Sequence, residues 1–277
     1  MKVIKYDHQL IAQIEYFDFL INNLNVESLI HGYCSLTKDW IHENITSPFH
    51  RFYFILSGSG TLKNTEQTIS LIPGHIYLIP ANSTWTYLCE EEMEQFFVHV
   101  KITLMKGLDL FEGITDCLVL DSPEEEIDNM IKSVETGSLQ SIIKFKSILF
   151  DIIAKLAGKN QINLKTHINS ILKYQDLLIF IDENRSAKLK VSDVVGYMKQ
   201  SHSSLYKDLK SDTGYSIKYY LDKCLVEASC ESILLTDLSI KEIAHNLDFK
   251  DQYYFSRFFK KHMGTSPSTY RTYNRSN

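Results

Sequence analysis

The sequence predicts a mixed α+β chain: an antiparallel β-barrel with flanking helices, then an all-α domain of two helix-turn-helix motifs joined by a long helix. Three observations predict it. Between about His50 and Lys101, short aliphatic and aromatic runs are bounded by Gly, Pro and Asn, as in antiparallel strands. After Met105 the apolar residues recur at helical spacing instead. Finally, one motif occurs twice in the last hundred residues, with a shift of fifty.

Composition bounds the reading. A length of 277 residues suits two domains of ordinary size, and a 44% apolar share is enough for real cores. No apolar run approaches about 18 residues, so no membrane span is expected. The start, MKVIKYDHQL, carries charges where a signal peptide needs an apolar stretch. Cys34, Cys89, Cys117, Cys224 and Cys230 are odd in number and form no CxxC pair. They fit reduced thiols in the cytoplasm rather than a disulfide framework or a zinc site. The net charge of −5 is unevenly spread: Leu177 to Asn277 carries 15 Lys+Arg against 12 Asp+Glu, and the preceding part 14 against 22.

The strand-like part begins with HRFYFILSGSGTL, running into Gly58-Ser59-Gly60. TISLIPGHIYLIPANSTWTYL supplies two more runs, broken at Pro73-Gly74 and at Pro80-Ala81-Asn82, and EQFFVHVKI another. A further strand is expected around Ser28–Cys34. Ser122-Pro123 followed by Glu124, Glu125 and Glu126 reads as a helix start, with acids near the positive end of the dipole. Ile127, Met130, Ile131 and Val134 follow at helical spacing, and Gly137 ends the helix. A second helix is expected from about Leu139 to Ala157. Its stripe (Ile142, Ile143, Phe145, Ile148, Leu149, Ile152, Ile153, Leu156) is broad for a surface helix. Packing on the barrel and a dimer seam are both open readings, and they are compatible. The expected division is 1–105 for the barrel, 106–157 for the helical segment, 158–167 for a linker and 168–277 for the all-α domain. A helix from Ile168 to Glu183 opens the last.

In the repeat, Leu205 falls on Phe255, Lys207 on Arg257, Leu209 on Phe259, Lys210 on Lys260, Gly214 on Gly264, Ser216 on Ser266 and Tyr220 on Tyr270. In the second copy, Ser239 and Glu242 form a capping box, Ile240, Ile243, Ala244 and Leu247 the buried face, and Asp251 a cap for the next helix. Phe255, Phe258 and Phe259 point inward, Gly264 ends the helix, and Ser266-Pro267 starts another. In the first copy, Val191, Val194, Val195 and Met198 form the inner face and Ser201 the cap. A helix of about 19 residues from Ser216 joins the copies; at this length it spans about 28 Å. One DNA turn is about 34 Å, so both second helices could enter successive major-groove segments. The outward residues suit that task. Gln252, Tyr253, Ser256 and Arg257 in copy two, and Ser203, Ser204, Tyr206 and Lys207 in copy one, are candidates for base edges. Lys210, Lys260 and Lys261 suit phosphates. For one such helix a solvated face is the simpler reading; two copies with a basic residue at the same place favour double-stranded DNA.

The motif Ile243-Ala244, then Phe249, then Tyr254-Phe255-Ser256-Arg257-x-Phe259-Lys260-Lys261, then Gly264-x-Ser266-Pro267-x-x-Tyr270-Arg271 resembles that of the AraC/XylS transcription regulators. The resemblance covers about the last hundred residues. It departs in three places. Asp248 stands where the second turn usually has Gly, Lys199 where the first often has it, and neither Cys224 nor Leu225 is the basic residue that the family's joining helix usually carries. Asp tolerates the left-handed conformation better than most residues, so the second turn can survive.

The first half resembles the family's cupin-like arm through Gly58-Ser59-Gly60, Leu71-Ile72-Pro73-Gly74-His75, Leu78-Ile79-Pro80 and Val98-His99. That implies a small effector or a dimer contact. Trp85 and Tyr87 share one face of a strand, and Gln95, Phe97 and His99 a face of another. By similarity to sugar-responsive members, Tyr87 and Phe97 fall where aromatics stack on the effector; core packing is the competing reading. With His50 and Arg51, these make the candidate pocket: His50, Arg51, Trp85, Tyr87, Gln95 and Phe97. Arg51 favours a polar or anionic ligand. Enzymatic cupins carry His-x-His and a following Glu, whereas His50 precedes Arg51 and Phe52. No metal, cofactor or catalytic residue is therefore expected. The expected function is sequence-specific regulation of transcription, with activation favoured. Double-stranded DNA and RNA polymerase are the expected partners, with a homodimer through the 123–157 helices. A barrel that serves only oligomerisation or partner contacts, or a cupin enzyme fused to a helical domain, are the alternatives.

Overall fold

The computed structural model describes residues 17–275 apart from 19, 106–107, 122–123 and 161–172. The described residues include eight strands: β1 (Asn25–Thr37), β2 (Ile41–Thr46), β3 (His50–Lys63), β4 (Thr68–Leu71), β5 (His75–Ile79), β6 (Thr84–Met105), β7 (Leu108–Asp109) and β8 (Leu118–Asp121). They form one antiparallel sheet in the order β1-β6-β3-β5-β8, with β2 and β7 also on β6 and β4 on β3. The runs expected as separate strands, TWTYL and EQFFVHVKI, are one continuous 22-residue strand. It pairs with β3 from Val100 back to Thr86, and the register shifts at Ile55/Ser57 and Gly58/Gly60. Gly58 has φ 73°, and a Cβ there would lie 2.0 Å from the Glu92 carbonyl oxygen. Only glycine permits β3 to lie so close to β6 while it bulges.

Alternation sorts the sheet into two faces. Phe52, Phe54, Phe96, Val98, Val100 and Ile102 are buried in the core that also takes in the helices. Tyr53, Ile55, Trp85, Tyr87, Cys89, Met93 and Phe97 fill a second core with Leu36, Trp40 and Cys117. Residues from both ends of the strand path share that second core, so the sheet is rolled around it.

Helices α1 (Glu124–Thr136) and α2 (Leu139–Lys159) cover the first face. The start expected at Ser122-Pro123 lies outside the described residues. Thr136 is followed by Gly137 at φ 62°, as expected for the stop. Ser138 caps α2, its hydroxyl accepting from the Ser141 N–H. Phe145, Ile148, Leu149, Ile152, Ile153 and Leu156 are buried, whereas Leu139, Ile142 and Ile143 are exposed. The broad stripe therefore packs on the sheet along one side and remains open along the other. Because α2 runs to Lys159, the linker expected from 158 does not begin there; 161–167 lie outside the described residues.

The helical part comprises α3 (Gln175–Glu183), α4 (Val191–Met198), α5 (His202–Thr213), α6 (Ile217–Leu235), α7 (Ile240–Asn246), α8 (Gln252–Met263) and α9 (Pro267–Arg275). The helix expected from Ile168 begins at Gln175; residues 168–172 lie outside the described residues, and Lys173 and Tyr174 form a turn. The joining helix α6 has the expected 19 residues and the expected cap, with Ser216 accepting from the Tyr219 N–H. Two polar clasps bind it to the sheet domain, one from the turn after β7 and one from β6. Glu112 accepts from Lys223 (2.6 Å) and from Tyr219 (3.0 Å). Lys101 pairs with Glu231, and with Glu227 at 3.8 Å. Burial alone would lower the pKa of Lys223, but the charges of Glu112 and Glu227 outweigh it and hold the ammonium charged.

Candidate nucleic-acid interface

Each motif copy sets a short helix before a longer one: α4 before α5, and α7 before α8. Local chemistry fixes their ends. Ser201 accepts from the Ser204 N–H at 3.2 Å and Asp251 from the Tyr254 N–H at 2.7 Å. Ser239 and Glu242 bond reciprocally as a capping box. Gly214 and Gly264 close α5 and α8 in the left-handed region. Ser266 caps α9 through the Thr269 N–H. Arg271 donates to the Ile233 and Leu238 carbonyls, tying α9 to the end of α6.

The two turns take the conformation that glycine would supply. Lys199 has φ 51° and Asp248 φ 60°. Asp248 is held besides by Ser186 (2.9 Å) and Lys188 (2.5 Å), and the Ala187 N–H donates to the Leu247 carbonyl. These hydrogen bonds, from Lys188 first and then Ser186, hold the Asp248 carboxyl below the usual range.

The anchors Leu205, Leu209, Phe255, Phe259 and Met263 are buried. Val194 alone of the first inner face is fully buried; Val191, Val195 and Met198 pack on the core partly exposed. Phe258 is likewise partly buried. Of the outward set, Ser203, Ser204, Tyr206, Lys207 and Lys210 on α5 are exposed, as are Gln252, Tyr253, Arg257, Lys260 and Lys261 on α8. Ser256 is only half-exposed, because it sits one residue past Phe255 at the margin of the buried stripe. Two neighbours escaped the sequence reading. Tyr254 is exposed, and the Arg257 guanidinium carbon lies 5.9 Å from its ring centroid. His202 stacks on Tyr206 at 6.2 Å. Spacings of three and four along a helix place these pairs on one stripe, which is the signal that would have found them. On α5, Ser204 donates to Asp208, and Lys210 lies 5.9 Å from the Tyr206 ring.

In the rolled sheet, Arg51, Trp85, Tyr87, Gln95 and Phe97 are buried. Arg51 donates to the Tyr87 hydroxyl at 2.7 Å, and its guanidinium carbon lies 5.3 Å from that ring centroid. Trp85 donates to Ser83. Register pairs Arg51 with His99, Tyr53 with Phe97 and Ile55 with Gln95, so these side chains share a face. His99, Trp40 and Tyr53 belong beside the expected set. Gln95 Oε1 and His99 Nδ1 are buried with no hydrogen-bond partner among the described residues. Burial first, and then Arg51, pushes the His99 pKa well below its ordinary value, so its imidazole is neutral.

His50 corrects the expectation. It neighbours Arg51 on one strand, and adjacent strand residues point to opposite faces. Its Nε2 lies 2.7 Å from Asp109 and its ring meets Phe111 edge-on. The Ala81 N–H donates to Nδ1, so that nitrogen carries no proton and Nε2 is the donor to Asp109. His50 therefore locks β3 to β7 and is not part of the inner set.

The fold that carries these features is shared with known proteins. A helix-turn-helix domain family matches residues 195–273. The chain is 22% identical to the Msm operon regulatory protein of Streptococcus mutans, covering 92% of this chain and 96% of that one. It is 24% identical to the lactose operon transcription activator of Staphylococcus xylosus, over 79% of this chain and 82% of that one. The structure of ToxT from Vibrio cholerae, bound to an unsaturated fatty acid, has the same fold: TM-score 0.60 at 16% identity, over 88% of this chain and 95% of that one. Two helix-turn-helix copies joined by one helix behind an antiparallel sheet domain, with relatives that regulate operons, assign the chain: it belongs to the AraC/XylS family and is a DNA-binding transcription regulator, not an enzyme.

Proposed function

We propose that the chain activates an operon for sugar use, with a sugar bound inside the rolled sheet as effector. The observation that carries this is the inner set itself. Trp85, Tyr87 and Phe97 offer flat apolar faces, and Arg51, Gln95 and His99 offer buried polar groups beside them. A sugar needs both: rings against its C–H faces and hydrogen bonds to its hydroxyls. The lactose activator among the relatives supports the class. DNA is read by α5 and α8, with Gln252, Tyr253, Arg257, Ser203, Ser204, Tyr206 and Lys207 toward bases and Lys210, Lys260 and Lys261 toward phosphates. Activation works through RNA polymerase. The chain acts as a homodimer through α1 and α2. Leu139 (75% exposed), Ile142 (51%) and Ile143 (61%) support this, beside an apolar groove of about 340 Å³ lined by Val134, Ile142, Phe145 and Leu149.

A panel of mono-, di- and trisaccharides, lactose and raffinose included, tests the effector by thermal shift. A sugar at about a hundred times its Kd adds about 2.7 kcal/mol to stability. The shift should vanish in Arg51→Gln. A panel without any shift favours the second reading, in which the sheet domain serves assembly only; the open stripe on α2 is what favours it. Sedimentation of Ile143→Asp tests the dimer, which should dissociate.

A further inference from the structure

The ring of Phe49 belongs to both halves of the molecule. It is 2% exposed and lies in the core of the second motif copy, with Cys230, Leu234, Phe255, Phe259 and Tyr270. Within that core Tyr270 meets Phe259 edge-on at 5.2 Å, and Phe259 is an inward anchor of α8. On the sheet side, Phe49 stacks on His99 at 5.0 Å and 29°, and the Arg51 guanidinium carbon lies 5.6 Å from its centroid. His99 in turn lies 5.0 Å from Phe97. Ring contacts thus lead from the inner polar set to Phe49, and the buried core that Phe49 shares with Tyr270 and Phe259 carries on to the back of α8. The first copy is seated differently: Leu205 and Leu209 of α5 share the core of the sheet's other face.

We propose that Phe49 is a positioning residue that couples occupancy of the sheet interior to the seat of α8. A ligand that engages Arg51 or His99 changes what the Phe49 ring packs against. Close-packed rings answer by shifting between discrete arrangements rather than by yielding gradually, and Tyr270 and Phe259 pass the change to the second head. The trigger rests on the effector reading above, so the test uses no sugar.

Coupling is reciprocal: if the interior biases α8, DNA on α8 must bias the interior. The chain has two tryptophans, Trp40 and Trp85, both buried in the interior core and neither in the helical part. Their emission reports the interior while DNA binds elsewhere. The full chain is titrated with a duplex it has itself selected from a random pool. Wild type should change its tryptophan emission with the midpoint of the binding curve followed by DNA anisotropy. Phe49→Leu should keep that anisotropy midpoint and lose the emission change; Tyr270→Phe, which keeps the ring, should retain it. If Phe49→Leu melts early, His99→Leu removes the stacking partner from the sheet side and should give the same loss. Full emission change in a Phe49→Leu protein that melts normally, or none in wild type, overturns the coupling. A Phe49-dependent change in a protein that binds no sugar overturns the effector reading alone.

Discussion

The two motif copies have one grammar and different strength. Both have a capped second helix, a left-handed turn and a glycine stop. In the second copy the anchors are Phe255 and Phe259, the cap is a carboxylate and the turn is bound by Lys188 and Ser186. In the first, the anchors are Leu205 and Leu209, the cap is a hydroxyl, and Lys199 takes the left-handed turn. The outward faces differ in the same sense. Arg257, Lys260 and Lys261 stand without an acid among them on α8, whereas α5 intersperses Asp208 and Asp212 among its lysines. A head that is firmly built and basic can carry specificity; the other can add affinity and register.

Four measurements would break or sharpen this contrast. The largest effect is expected at the anchors: Phe255→Ala should cost about 3–5 kcal/mol and Leu205→Ala about 2–5, read by urea melts. Equal losses would erase the packing difference. Next, Arg257→Ala should cost about 1–3 kcal/mol of specific binding and relax preference at one base pair. Lys210→Ala on α5, assigned to phosphate, should weaken all sequences alike; competition against single-base operator variants separates the two. Lys260→Ala should flatten the salt dependence by about one phosphate contact, a slope change of about 0.9, and an unchanged slope removes its phosphate role. The smallest effect lies in the turns. Lys199→Gly relieves a left-handed residue and should add up to about 1 kcal/mol. Asp248→Gly relieves the same strain but loses its partners, so its melting point should hardly move. Sign fixes its pH dependence: the folded carboxyl titrates below the unfolded one, so the Asp248 contribution is complete above about pH 4. It is lost as pH falls through the folded value. Asp248→Gly should therefore match wild type near neutrality and melt above it at low pH, where the wild-type turn keeps its left-handed strain without its ionised partner contacts.

Local features were legible from the sequence because their causes are local. Ser201, Ser239, Asp251, Gly214 and Gly264 act within four residues of themselves, and each stands where it was expected. Alternation likewise gathered Trp85, Tyr87, Gln95 and Phe97, and the same rule, applied to His50 and Arg51 as neighbours, would have set His50 apart. The polar strand β2, IHENIT, has no apolar alternation to betray it. The two-residue β7 is too short to have a period. What could not be read was distance in the chain: Glu112 meets Lys223 across 111 residues, and Phe49 enters the core of a motif that begins near Ser239. Such contacts depend on how finished units dock, and no window of sequence contains them.

One unbroken helix, α6, carries both heads. Its peptide ladder makes it a ruler rather than a tether. Adding a base pair between the two operator elements would not merely lengthen a reach. It would turn the far element by about a tenth of a turn about the duplex axis, swinging every contact of one head out of phase at once. Operator spacing is then as much a part of the address as the bases themselves.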